Sequence, residues 1–417
     1  MEMQFLAFDP ADAKAALTQL PKSAAVFALY GAEAHAEPYI GRTPNLRARL
    51  EKLLQPSAKH PRRLQLAGLV RRIEFRLTGS EFESLLLQFA MLQEVHGAKS
   101  LERMHLRAPA FVRFLGSNRY PRLTVTHRLG QREADWAYGP FASRAAAERF
   151  CEEALKLFLL RRCTDDLNPD PSHPGCVYSE MKMCLAPCYK GCTDERYAEE
   201  AREVESFVAT RGECRLVTLR AARDEASTNL EFESAAALHA QTKRVEAVRA
   251  LAAELVRPLS QLRGVILQAS ASGPDEVCVF LFEDGRLRGP VAFSTMGMRI
   301  QNEQSGSSSL FAQPMVIEAE PEAGTGVPAK MARGVLESRL DAALAELAQP
   351  LDPPSAVVRQ GHLALLKRWY YRPEARRAGE IFFPADDGVW PLKAILRGVG
   401  RVAAANIKAV AGSQLPG

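Results

Sequence analysis

The chain has 417 residues, enough for about three domains of ~150 residues each. Apolar residues make up 47% and charged residues 25%, which excludes wholesale disorder, and no uninterrupted apolar run reaches the roughly 18 residues of a membrane span. The net charge of +5 hides a concentration: residues 41–80 hold ten Lys/Arg against two Glu, a local excess of +8 that reads as a phosphate-facing surface or as a solvated helix face.

Met1-Glu2-Met3-Gln4 carries neither the basic nor the apolar segment of a secretory signal, so the expectation is a cytoplasmic chain with reduced thiols. The apolar run 24–30 predicts a strand. Asn45 is placed to cap a helix carrying Leu46, Leu50, Leu53 and Leu54 on one side. Residues 72–77 read as a second strand. Ser80, with Glu83 three positions on, has capping-box spacing and opens a helix carrying Leu85, Leu86, Phe89 and Leu92. Residues 120–125 read as a strand entered through Pro121, Gly139-Pro140-Phe141 as a turn, and Ser143 as the start of an amphipathic helix. Residues 195–256 predict two helices joined by a tight turn near Asn229-Leu230-Glu231, with Leu219, Ala222, Ala226 and Leu230 on one stripe. Strands follow at 265–267 and 277–282, with Asp284-Gly285 as a hairpin turn. Residues 301–330, rich in Ser, Gly, Pro and Glu, read as a mobile insertion or linker, and 328–348 as one long helix.

Of the eight cysteines, four stand as Cys163-x12-Cys176-x7-Cys184-x3-Cys188, with Cys192 one further x3 step along. Closely spaced thiolates in a Pro/Gly loop can converge on one metal centre, the alternative being incidental buried thiols. The spacing is neither that of zinc ribbons nor that of standard ferredoxins, so iron–sulfur and zinc both stay open. His173, inside the loop, is expected to be a solvent-exposed residue rather than a ligand.

Three collinear segments resemble one family, the UvrC-type subunit of the bacterial excinuclease. Leu20-Pro21-x4-Val26-Phe27, then Tyr39-Ile40-Gly41-Arg42-x2-Asn45-Leu46-x2-Arg49-Leu50, resembles its GIY-YIG nuclease domain. Tyr120-Pro121, Tyr138-Gly139-Pro140-Phe141, Arg161 and the four cysteines resemble its iron–sulfur region. Leu219 through Ala236, centred on Leu230-Glu231-Phe232-Glu233, is similar to its UVR helical hairpin. The resemblance covers about residues 15–256. It implies nucleotide excision repair, in which a UvrB-type helicase holds damaged DNA and the nuclease domain cuts 3′ of the lesion with one divalent ion, Mg²⁺ or Mn²⁺.

Position by position, the resemblance implies Tyr39 as the residue that positions water and Gly41 as a point of close backbone approach. It makes Arg42 a stand-in for the usual lysine and Arg49 the contact to the scissile phosphate. Two positions depart. The first-motif tyrosine is Phe27, which neither ionises nor donates a hydrogen bond. The metal glutamate falls on Gln88, and a neutral amide is a poor sole protein ligand for Mg²⁺. Tyr30 is off register, Glu83 sits more than one turn from Gln88, and Glu81 is judged worse placed. The expectation is an impaired nuclease, with Arg42, Arg47, Arg49, Arg62 and Arg63 still able to bind DNA. Cys163, Cys176, Cys184 and Cys188 are expected to hold an iron–sulfur cluster of 4Fe-4S type, with zinc as the alternative. Leu230, Glu231, Phe232 and Glu233 are expected to dock the helicase.

The last 150 residues show neither an RNase H-type carboxylate set nor a helix-hairpin-helix end. Asp386-Asp387-Gly388 reads as a turn, His362 as structural, and 367–372 as a packing patch rather than a stacking platform for single-stranded DNA. The fold expected is multidomain α+β: a small GIY-YIG-like α/β/α domain (15–98), a Cys-rich, mostly helical domain (110–198), a helical hairpin (199–257) and a C-terminal mixed α/β domain (262–400).

Overall fold

Local signals near the N-terminus build a small antiparallel sheet. The computed structural model describes residues 3–33, 36–54, 66, 68–130, 136–164, 167–296, 298, 329–385 and 387–413. Its first elements are β1 (Gln4–Ala7), α1 (Ala13–Gln19), β2 (Ala25–Tyr30), β3 (Tyr39–Thr43), α2 (Leu46–Leu54), β4 (Arg72–Leu77) and α3 (Glu81–His96). The sheet runs β1-β4-β2-β3, all antiparallel, with β3 at an outer edge. Asn45 caps α2 by accepting from the Ala48 N–H at 3.0 Å, and Leu46, Leu50, Leu53 and Leu54 are buried beneath it. Ser80 caps α3 by accepting from the Glu83 N–H at 3.1 Å. The Glu83 carboxylate answers to the Gly79 N–H at 2.8 Å, one residue before the position a capping box would use.

A second antiparallel sheet follows α4 (Ser100–Arg103). It contains β5 (Ala110–Phe114), β6 (Leu123–Thr126), β7 (Ala137–Phe141) and the distant β8 (Arg257–Pro258), in the order β6-β5-β7-β8, and α5 (Arg144–Leu155) packs against it. The Gly139-Pro140-Phe141 segment is therefore strand and not the expected turn. All five residues of β7 are buried, and Tyr138 and Gly139 pair with Pro258 and Arg257 far downstream, a partner that no local pattern announces. For the same reason this cysteine-bearing region is less helical than expected.

Helices α6 (Val177–Glu180), α7 (Asp194–Ala209), α8 (Glu213–Thr228) and α9 (Phe232–Ala250) come next, then β8 (Arg257–Pro258). The stretch read as two helices contains three. Arg211 and Gly212 both take left-handed φ, 54° and 77°, and separate α7 from α8. The α8–α9 turn lies where the phase shift put it, with Leu230 at φ 62°.

The C-terminal sheet contains β9 (Gly264–Ala269), β10 (Glu276–Glu283) and β11 (Arg286–Ser294). It is joined after α10 (Ala329–Leu347) and α11 (Ala356–Tyr370) by β12 (Glu380–Phe382), with α12 (Leu392–Ser413) last. Its order is β11-β10-β9-β12, antiparallel throughout, and Asp284-Gly285 turns the hairpin with both residues at positive φ. Most of the linker read at 301–330 lies outside the described residues.

One packing decision positions the site. Phe82, Leu85, Leu86, Phe89 and Leu92 of α3 share a core with Ile266, Phe280 and Phe282 of the C-terminal sheet and with Leu363, Leu366 and Trp369 of α11. Gly361 lets α11 pass over the Phe89 ring, where a Cβ would collide with it. Helix α3 is thereby held between the N-terminal sheet and the C-terminal one. Among the described residues, no helix is long and apolar enough to cross a membrane.

Candidate functional site

The motif residues gather around the open edge of β3. Strand alternation sends Tyr39 and Gly41 to the α2 side, and Ile40 and Arg42 to the α3 side. On the α2 side, an Arg49 Nη2–H donates to the Tyr39 hydroxyl at 3.4 Å, which joins two of the expected residues. Phe27 lies opposite Gly41 in the register, is fully buried, and has its ring centre 6.2 Å from that of Tyr39, the two rings tilted by 36°. A Cβ on Gly41 would come within 2.7 Å of the Phe27 ring, so packing alone requires glycine here. Tyr30 supplies no replacement hydroxyl: Arg72 covers its ring at 4.3 Å, and burial, then its hydrogen bond with Glu74, raises its pKa.

On the α3 side the sequence reading missed a residue. Glu81, worse placed than Glu83 by its distance from Gln88, is the carboxylate that Arg42 meets, at 3.5 Å. Arg372, just past the end of α11, grips the same carboxylate with both arms, Nη1 at 2.8 Å and Nη2 at 3.0 Å. These partners, Arg372 foremost, hold Glu81 below the usual carboxylate range, and the charges of Arg42 and Arg368 add to the effect. The available signal was helical phase: Glu81 and Gln88 are seven residues apart and share a face of α3. Gln88 itself is half-buried two turns further along. Glu83 is buried, held by Gly79, and burial raises its pKa.

The remaining basic candidates divide. Arg47 donates from Nε to the Leu20 carbonyl at 2.7 Å and so anchors α2 to the preceding loop. Arg49 and Arg42 are exposed. Arg62 and Arg63 lie outside the described residues.

The cysteine loop is tied down by its neighbours. Arg161 is buried. Its Nε donates to the Tyr120 carbonyl at 3.0 Å, and its Nη1 points at Cys163 Sγ, 3.6 Å away. The Arg161 N–H donates to the Tyr197 hydroxyl, which donates in turn to the Pro121 carbonyl at 2.8 Å. Ala186 takes left-handed φ and turns its N–H onto Cys184 Sγ at 3.3 Å. Burial, followed by the charges of Cys163, Cys176 and Cys188, pushes the Cys184 thiol up to about 11. Cys188 is raised as well, first by burial and then by the charges of Cys176 and Cys163. All eight cysteines are free of disulfides. Among the described residues, no three His, Cys, Asp or Glu side chains close on a single point as a finished metal site. His173 is exposed and its Nδ1 accepts from the Gly175 N–H, in keeping with a loop residue.

The hairpin presents its motif outward. Residues 227–234 are all exposed, and Leu230 and Phe232 are 71% and 67% accessible. Leu230 is thus not on the buried stripe with Leu219 and Ala226; its left-handed backbone swings it off the helix face. In the C-terminal part, His362 is buried and its Nδ1 accepts from the Leu287 N–H at 2.9 Å. Trp369 is buried and donates to the Ala378 carbonyl at 2.8 Å, so the aromatic part of 367–372 packs inward. Asp387 accepts from the Val389 N–H within a turn.

Residues 111–207 match the family model described as UvrC/Cho excinuclease, middle domain. Curated relatives carry the name UvrABC system protein C. That of Alcanivorax borkumensis is 29% identical over 211 residues, 51% of this chain and 34% of the relative. That of Pseudomonas aeruginosa is 28% identical over 230 residues, 55% and 37%. That of Pseudomonas protegens is 27% identical over 241 residues, 58% and 39%. The matched region spans little more than a third of each relative's length. No solved structure matches significantly.

Proposed function

We propose that this chain, which is a relative of the UvrC-family excinuclease subunits, works in nucleotide excision repair as a DNA- and helicase-binding factor with a weakened nuclease site. On this reading residues 15–98 are the GIY-YIG-like unit, 110–198 the cluster region, 199–257 the docking hairpin and 262–400 a C-terminal unit. The setting is cytoplasmic, and the partners are damaged duplex DNA and a UvrB-type helicase.

The observation that carries the weakened site is the fate of the two carboxylates in the first turn of α3. Glu81 is taken by Arg372 and Arg42, Glu83 by Gly79, and position 88 is a neutral amide. Mg²⁺ and Mn²⁺ need a hard anionic oxygen, so the residues present do not fit a tightly held divalent ion. The four thiols are a different case. A soft, all-sulfur set steadied by N–H donors at Cys184 and Cys163 suits an iron–sulfur cluster of 4Fe-4S type, or zinc, held by Cys163, Cys176, Cys184 and Cys188. Such a group would supply rigidity or redox sensitivity to the loop. Anaerobically purified protein should be brown; a colourless protein with stoichiometric zinc selects the other metal.

A second reading, 3′ incision by the wild-type chain, is favoured by the Tyr39–Arg49 contact, which keeps one half of a nuclease site together. Strand incision on a lesion-bearing duplex preloaded with the helicase separates the two. The adaptor reading expects no cut by wild type in Mg²⁺ or Mn²⁺, and recovery of cutting 3′ of the lesion in Gln88→Glu. Metal-dependent cutting by wild type, lost in Arg49→Ala, would establish the enzyme instead.

A further inference from the structure

We propose that Arg42, Arg368 and Arg372 form a phosphate-binding site at the seam between the N-terminal sheet and helix α11, where guanidinium groups do what a metal ion would otherwise do at the DNA backbone. The identity of the ligand rests on the repair reading above. The site is a charge imbalance built by tertiary contact: two guanidinium groups, Arg42 and Arg372, meet one carboxylate, Glu81, at an exposed edge, and the charge of exposed Arg368 adds to theirs without a contact. Buried Trp369, pinned to the Ala378 carbonyl, fixes the rotation of α11 and leaves Arg368 exposed in its last turn, while Arg372 lies two residues past the helix end. The Arg372 fork holds two oxygens at 2.8 and 3.0 Å, the geometry in which a guanidinium also takes two phosphate oxygens. Glu81 is 42% exposed, which leaves it open to solvent as a resident anion for a phosphodiester to displace.

This arrangement makes a sign prediction that a metal site reverses. Binding of the full chain to a fluorescein-labelled duplex is followed by anisotropy in EDTA across a salt series. Glu81→Gln should tighten binding several-fold, because it removes the competing anion. Arg368→Gln should weaken it several-fold and flatten the log–log salt slope by about 0.9, the loss of one phosphate contact. Arg372→Gln should do the same. Should loss of its ion pair unfold the chain, as a melting curve would reveal, the exposed Arg368 and Glu81 variants decide. Wild-type slope and affinity in Arg368→Gln, or weaker binding in Glu81→Gln, would overturn the proposal while leaving the repair reading intact. A wild-type chain that binds no duplex even at low salt takes both down.

Discussion

The sheet edge at β3 and the tip of the α8–α9 hairpin treat their motif residues in opposite ways. At the sheet edge the chain satisfies its own groups: Phe27 packs under Gly41, Arg47 serves a backbone carbonyl, and Glu81 is gripped from the other end of the sequence. At the hairpin tip it leaves them unsatisfied, with Leu230 and Phe232 held out in water next to Glu231 and Glu233. A carboxylate gripped inside the molecule, as Glu81 is, is lost as a metal ligand. Apolar side chains kept outside at a hydration cost are an invitation to a partner. The contrast is the physical basis for reading one region as a weakened catalyst and the other as a docking element.

The strongest way to break that contrast is to attack the packing that makes the sheet edge part of a larger core. Phe89→Ala should cost about 3–5 kcal/mol in urea unfolding, because Phe89 fills the joint between α3 and α11 at Gly361. A loss below about 1 kcal/mol would mean that the two regions stand independently. The same joint carries a buried histidine. Burial, with the Arg286 charge, lowers the His362 pKa to about 3 from the usual 6.5. The unfolded chain therefore binds more protons between those two values, and stability falls as pH drops through this window. The expected loss is on the order of a few kcal/mol between pH 7 and pH 4. His362→Gln should remove that component and flatten the curve. An unchanged slope in the variant would assign the acid sensitivity elsewhere.

Substitutions at the hairpin tip sharpen the other side of the comparison. Glu231→Lys combined with Phe232→Ala should weaken helicase binding by about 2 kcal/mol, roughly thirty-fold, in a titration. The same double variant should unfold within about 0.5 kcal/mol of wild type, since neither side chain is buried. Equal affinity would remove the docking assignment. A large stability loss would show that the tip packs on the protein itself.

Much of the scaffold was legible because its causes are local. Asn45, Ser80 and Ser143 announce helix starts by hydrogen bonds that span three residues, and all three do so here. Leu46, Leu50, Leu53 and Leu54 follow a helical period and are buried. Asp284-Gly285 sets its hairpin because few other pairs adopt two positive φ angles cheaply. The thiol spacing likewise marked Cys163, Cys176, Cys184 and Cys188 as neighbours in one loop. Residues whose roles depend on distant partners were not legible. Gly139-Pro140-Phe141 looks like a turn until Arg257 and Pro258 arrive to pair with it. Glu81 looks misplaced until Arg372, 291 residues away, closes on it. The sequence by itself determined where helices start, where hairpins turn and which loop holds the thiols, since those depend on neighbouring backbone groups. Only the tertiary structure decided which charges cancel at the sheet edge, because that follows from α11 crossing α3 at Gly361 and bringing its arginines to the site.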